Sequence, residues 1–184
     1  MKRSQRAAVL TLLNREMLQK GSWAGETHIQ KATFFLQDLM GVELGFDFVL
    51  YRHGPFSFDL RDELSSMRGD DLVSLVVRHE GYGPTFVPTE FSEVFLGRFP
   101  KTQARYRKQI EFISAELGQM GVADLEKLAT AFFLTKRGSN ESVENRAREL
   151  VELKPHISLP DARIACRQVD SLIERATPLI LEAA

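Results

Sequence analysis

Four histidines, one cysteine and a run of carboxylates are the residues with which this chain could do chemistry. His28, His53, His79 and His156 lie far apart, with no His-x-x-x-His or Cys-x-x-Cys spacing between any of them. The spacing that holds a zinc ion is therefore absent, and no metal and no cofactor is expected. Cys166 falls within a helical pattern on or beside its apolar face, where a small buried thiol is the ordinary state. There is no Gly-x-Ser-x-Gly elbow, and Gly81-Tyr82-Gly83 precedes a strand rather than opening a helix, so it is not a dinucleotide loop. Asp59, Asp62, Glu63, Asp70 and Asp71 crowd behind one central turn. The enzymatic chemistry they would support is metal-dependent hydrolysis of nucleic acid. Carboxylates near Lys and Arg on helix faces usually form a solvated surface instead. The chain is read as non-enzymatic, with the hydrolase as the last alternative.

The elements that would position these residues are organised around Phe46-Asp47-Phe48-Val49-Leu50-Tyr51-Arg52-His53-Gly54-Pro55-Phe56-Ser57. Phe46, Phe48 and Leu50 alternate with Asp47, Val49 and Tyr51, which predicts a strand. Gly54-Pro55 should end it, because proline has no ladder donor and biases its predecessor away from helix. Gly54 is expected at positive φ or against other backbone. Ser57 has the hydroxyl of a helix cap, and Asp59, Asp62 and Glu63 suit the first turns of the helix that follows. Leu60, Leu64 and Met67 form its apolar face, and Gly69 is expected past its end.

Before this stretch, Ser4 to Lys20 reads as a helix ended by Gly21. Thr27 to Met40 reads as a second helix, in which Thr27 and Gln30 have capping-box spacing. Ile29, Ala32, Leu36 and Leu39 point inward, with Gln30, Lys31, Phe34 and Asp38 on another side. After it, Leu72 to His79 and Thr85 to Pro88 form a hairpin around Glu80-Gly81-Tyr82-Gly83-Pro84. Helix, strand, helix and hairpin give the order of a winged helix-turn-helix, with the first strand between the second and third helices. Beyond Thr89 the chain is all-helical: Glu90 to Leu96, a long helix after Pro100, Asp124 to Lys136, Asn140 to Leu153, and a last helix from Ser158. Leu125, Leu128, Ala129, Phe132 and Phe133 should be deeply buried. The fold expected is mainly α with a small β-sheet: a winged-helix-like domain over 1–99 and a helical bundle over 100–184 packed on it, or the two as one domain.

The chain has 184 residues, a net charge of −1 and 43% hydrophobic residues, which suffices for a core without disulfides. A single cysteine, no signal peptide and no membrane-length apolar run point to the cytoplasm. For DNA, the third helix sets Arg61 and Arg68 against more numerous acids, which suits phosphate poorly. Lys2, Arg3, Arg6 and Arg78 are the best candidates for nucleic-acid contact.

His28-Ile29-Gln30-Lys31-Ala32-Thr33-Phe34-Phe35-Leu36 resembles the "LQKLxYLL" helix of YwgA-like proteins and of the related Panacea (SocA-like) antitoxin-domain proteins. Tyr51-Arg52-His53-Gly54-Pro55-Phe56-Ser57 is similar to their "Y-x-Y-G-P-Y-S" turn. Leu125-Glu126-Lys127-Leu128-Ala129-Thr130 resembles the apolar helix that follows in the YwgA-like branch, and Leu153-Lys154-Pro155 its "LKP". Ile29 stands for the family leucine, and His53 and Phe56 for tyrosines. The resemblance implies a non-enzymatic protein, and for the Panacea branch neutralisation of a small toxin by protein contact. The expectation is an antitoxin-like or adaptor module that binds a toxin or regulatory protein, with homodimerisation open. Gln30, Lys31, Phe34, Tyr51, Arg52, His53 and Phe56 are its candidate partner-binding residues, and Gly54, Pro55 and Ser57 form the structural turn. The alternative is a DNA-binding transcriptional regulator.

Overall fold

A computed structural model of the chain describes residues 1–138 and 142–183. The elements are α1 (Arg3–Gln19), α2 (Glu26–Asp38), β1 (Val49–Tyr51), β2 (Gly54–Phe56), α3 (Phe58–Gly69), β3 (Val73–Val76), β4 (Thr85–Pro88), α4 (Glu90–Gly97), α5 (Pro100–Leu117), α6 (Val122–Arg137), α7 (Val143–Leu153) and α8 (Leu159–Ala183). The chain is mainly helical, 66%, with two small antiparallel sheets, β1-β2 and β3-β4.

α2 is the helix around which the others pack. Every residue from His28 to Leu36 is buried, because α1, α3, α5, α6 and β2 all lie against it. Its apolar side explains only part of this. Phe34 and Phe35 meet Phe132 of α6 at 5.3 and 4.9 Å between ring centroids, and Phe34 meets Phe48 at 5.1 Å. A helix buried all round must also satisfy its polar side chains, and Gln30 and Lys31 do so on the central hairpin. α5 runs along α1, with Pro100 at its first turn, where a missing N–H costs nothing. α7 is tied to α8 by Arg146, which grips Asp170 through two hydrogen bonds of 2.8 and 2.7 Å. Buried apolar residues from both halves of the chain belong to one core cluster.

Several expected boundaries move, each for a local reason. The strand predicted from Phe46 begins only at Val49. At Phe46 the Gln37 side chain replaces a neighbouring strand: its Oε1 accepts from the Phe46 N–H and its Nε2 donates to the Phe46 carbonyl, both at 2.8 Å. Gly54-Pro55 does not end a strand but begins the return strand β2. Ser4 does not cap α1; the Gln5 Oε1 accepts from the Lys2 N–H instead. Thr27 lies inside α2, whose N-cap is Gly25, so no capping box forms there. Gly69 is the last residue of α3, and Asp71 takes the positive φ of 57° beyond it. Phe133 is only partly buried. The expected start of α7 at Asn140 lies outside the described residues, and Ser142 caps the helix by accepting from the Asn145 N–H. The apolar tail continues α8 through Pro178, with Leu179 and Ile180 against the core and Leu181 exposed. No helix among the described residues is long and apolar enough to cross a membrane.

Candidate functional site

The central hairpin is a two-residue turn. Tyr51 pairs with Gly54, which leaves Arg52-His53 at the tip. Neither tip residue has positive φ; the left-handed residue is Gly54, at +84°, directly after them. Gly54 also lies hard against α6, where an added Cβ would meet Thr130 Oγ1 at 3.0 Å and the Glu126 carbonyl at 3.4 Å.

Two buried lysines hold the turn by its carbonyls. Lys31 Nζ donates to the Pro55 carbonyl at 3.0 Å. Lys154, just after α7, donates to the Tyr51 carbonyl at 2.6 Å and also to the Arg52 carbonyl. Glu126 of α6, 6% exposed, is their counter-charge, 3.5 Å from Lys154. The rings of His53 and His156 lie over the same carboxylate, at 3.5 and 3.3 Å. Burial pushes the Lys31 ammonium down to about 8, and Glu126 works against that shift. Beside them the Gln30 amide brackets Ser57, donating to its carbonyl and accepting from its N–H, each at 2.9 Å. Ser57 in turn caps α3 by accepting from the Leu60 N–H.

This arrangement divides the predicted partner-binding residues in two. Gln30, Lys31 and Phe34 are buried and cannot touch a partner directly; they brace the turn from within, because α2 is enclosed by both halves of the chain. Gly54, Pro55 and Ser57 are buried with them. Tyr51, Arg52 and His53 are exposed, and Phe56 is half-buried. Sequence reasoning missed Phe58 and Arg61. The rings of Tyr51, Phe56 and Phe58 form a cluster with centroids 5.1–5.7 Å apart. Tyr51 remains 50% exposed and Phe58 43%. Arg61 lies over the Phe58 ring at 5.2 Å. The available signal was Phe58 itself, a large apolar residue at the solvent-facing start of a charged helix. The Arg52 side chain makes no ion pair or hydrogen bond among the described residues.

The basic N-terminus is largely occupied. Arg3 pairs with Glu63 at 3.1 Å and Asp70 at 2.8 Å, and Arg6 pairs with Glu63 at 2.9 Å while lying over Phe46. These carboxylates raise the Arg3 guanidinium above its ordinary value, Asp70 most strongly. The predicted nucleic-acid contacts Arg3 and Arg6 are thus turned onto α3, while Lys2 and Arg78 stay exposed. The same pairs engage Glu63, which is buried, and Asp70, which is exposed, leaving Asp59, Asp62 and Asp71 on the surface outside them. Among the described residues, no three His, Cys, Asp or Glu side chains are grouped so as to hold a metal ion. Cys166 is buried, and burial pushes its thiol up. The chain matches no protein-family model and no curated protein.

Proposed function

We propose that this chain is a non-catalytic protein-interaction module, antitoxin-like or adaptor in character, on a winged-helix scaffold. The observation that carries the reading is the aromatic cluster of Tyr51, Phe56 and Phe58, with Arg52 exposed next to Tyr51 in the chain and without an ion-pair or hydrogen-bond partner among the described residues. Exposed aromatic and arginine side chains are the commonest anchors of protein interfaces. Clamping of the turn from below by Lys31, Lys154 and Gln30 adds to this. A recognition loop already fixed in shape loses little conformational entropy when a partner docks. The scaffold reading rests on the order of helices around α3 and on the β3-β4 hairpin after it. The partner accepts the aromatic rings in an apolar groove and sets a carboxylate against Arg52.

The test is co-expression of the chain with the product of each neighbouring reading frame. Rescue from a toxic product, abolished by Tyr51→Ala with Phe58→Ala in a protein that still melts normally, supports the reading. Failure of rescue for every neighbour removes the antitoxin role. Complex formation that survives the double replacement removes the site.

The second reading, a DNA-binding regulator, is favoured by the exposed Arg78 in the connection between β3 and β4. It is weakened by the pairing of Arg3 and Arg6 and by the exposed Asp59 and Asp62 on α3. Binding to random duplex DNA that falls steeply with added salt, and more weakly so in Arg78→Ala, would favour it over the interaction module.

A further inference from the structure

Beside α3 a cleft of about 700 Å³ opens between three walls. The volume lies within the roughly 300–1,000 Å³ that holds a small organic molecule. The first wall is aromatic. Trp23, on the loop between α1 and α2, donates its indole N–H to the Gly83 carbonyl at 2.8 Å, with Tyr82 at 5.5 Å and His79 stacked at 5.9 Å. The backbone around it is specialised. Ala24 is held at φ 48° while its carbonyl accepts from the Phe86 N–H, and a Cβ on Gly25 would meet Trp23 Cδ1 at 3.0 Å. Non-glycine residues at such φ persist only where their surroundings fix them, and they gather at binding sites.

The second wall is α3. Arg61, Leu64, Ser65 and Arg68 line the cleft at helical spacing i, i+3, i+4, i+7. Arg68 has no acidic partner among the described residues, and Arg61 has only Asp62 at 3.8 Å on the open surface. The third wall is the start of α2 and of α6, whose N-caps Gly25 and Gly121 provide no side-chain cap. Both starts favour negative charge. Glu26 is the one acidic residue among those lining the cleft.

Independent of these walls is His28, which also lines the cleft and is 4% exposed. Burial lowers the imidazole below its ordinary value, and the nearby Met120 backbone acts against that shift. Beyond that backbone the His28 ring has no hydrogen-bond partner among the described residues. A neutral imidazole that donates through one nitrogen accepts through the other.

We infer that this cleft binds a small planar aromatic anion that also carries a hydrogen-bond donor. Its ring lies against Trp23 and Tyr82, its anionic group meets Arg68, and its donor meets the free nitrogen of His28. The inference goes beyond the protein-interaction reading and does not depend on it.

Trp23 is the only tryptophan in the chain, so its emission reports on the cleft directly. The full chain is titrated with 4-hydroxybenzoate and with adenosine monophosphate, followed by fluorescence and by calorimetry. Phenol, adenosine and benzoate are the matched controls, the first two without the anion and the last without the donor. The expected result is saturable binding of one anion, at least about tenfold tighter than its uncharged control. Preference for 4-hydroxybenzoate identifies a carboxylate ligand and preference for the nucleotide a phosphate ligand. Arg68→Ala, an exposed change, weakens binding about tenfold with the melting temperature unchanged, and His28→Phe abolishes the preference for 4-hydroxybenzoate over benzoate. No saturable signal with either anion up to about 5 mM overturns the inference, as does binding that Arg68→Ala leaves intact.

Discussion

Lys31 Nζ is a positive charge held almost wholly out of water, at 1% exposure, against one carbonyl. Burial lowers the ammonium from its usual 10.5 to about 8 in the folded protein. Between these values the unfolded chain binds more protons than the folded one, so stability is lowest below pH 8 and rises toward pH 10.5. From about pH 7.5 to about pH 9.5 the wild-type protein should gain about 2 kcal/mol more stability than Lys31→Met does. Urea unfolding at the two pH values measures this, and parallel profiles for the two proteins would remove the buried charge. Arg52 has the opposite setting, exposed at the hairpin tip with no acid to hold among the described residues. Its replacement by alanine should leave the melting temperature unchanged and cost about 1–3 kcal/mol of partner affinity. A clear fall in melting temperature with binding intact would leave the turn as structure alone. The sequence left Arg52 open between an exposed anchor and an arginine paired with an acid, and only its place at the hairpin tip makes it exposed. The burial of Lys31 could not be read either, because helical spacing assigns a lysine to a solvated side. The carbonyl that satisfies it exists only once the hairpin has formed, and its companion Lys154 arrives from 103 residues beyond Tyr51.

At the level of elements, the hairpin and the helix it feeds depend on one glycine in two separate ways. Gly54 is at φ +84° and its missing Cβ faces Thr130 Oγ1 at 3.0 Å, whereas Gly21, at +88°, has nothing within 4 Å. Both substitutions to alanine meet the left-handed penalty, and only Gly54→Ala also meets α6. Gly21→Ala should therefore cost about 1 kcal/mol and Gly54→Ala about 2–4 kcal/mol in urea unfolding. Equal costs would mean that Thr130 moves aside and that α6 does not brace the turn. Element signals that act within a few residues were readable in the sequence: Gly21 after α1, Ser57 before α3, and Ser158, whose hydroxyl accepts from the Asp161 N–H. Signals whose side chains are recruited from afar were not. Gln30 has the spacing of a capping box but brackets Ser57, 27 residues on. Gln37 takes both backbone groups of Phe46, so the alternation from Phe46 describes a chain that is extended without being a strand there.

Across the whole molecule, the predominance of helix and the order of most elements were legible from periodicity and punctuation. The role of α2 was not, because Gln30, Lys31 and Asp38 read as a solvated side, and the groups that cover them come from the hairpin and from α6. Pro100 opens α5, which lies along α1 and α2. Pro100 marks a helix start, and a helix start alone does not reveal whether the next helix turns back onto the same core. Phe34 and Phe35 pack on Phe132, and Lys31 shares Glu126 with Lys154, so residues 1–99 cut from the rest would expose these rings and strand a buried charge. Loss of the second half should therefore unfold the first. In urea, Trp23 emission follows the first half, while far-UV circular dichroism is weighted toward the long helices α5, α6 and α8 of the second. The two transitions should coincide in midpoint and slope, as they do for one cooperative unit. The isolated 1–99 fragment should show no cooperative transition. Separate midpoints, or a fragment that melts cooperatively by itself, would mean that the contacts of α2 with α5 and α6 join two independently stable bodies.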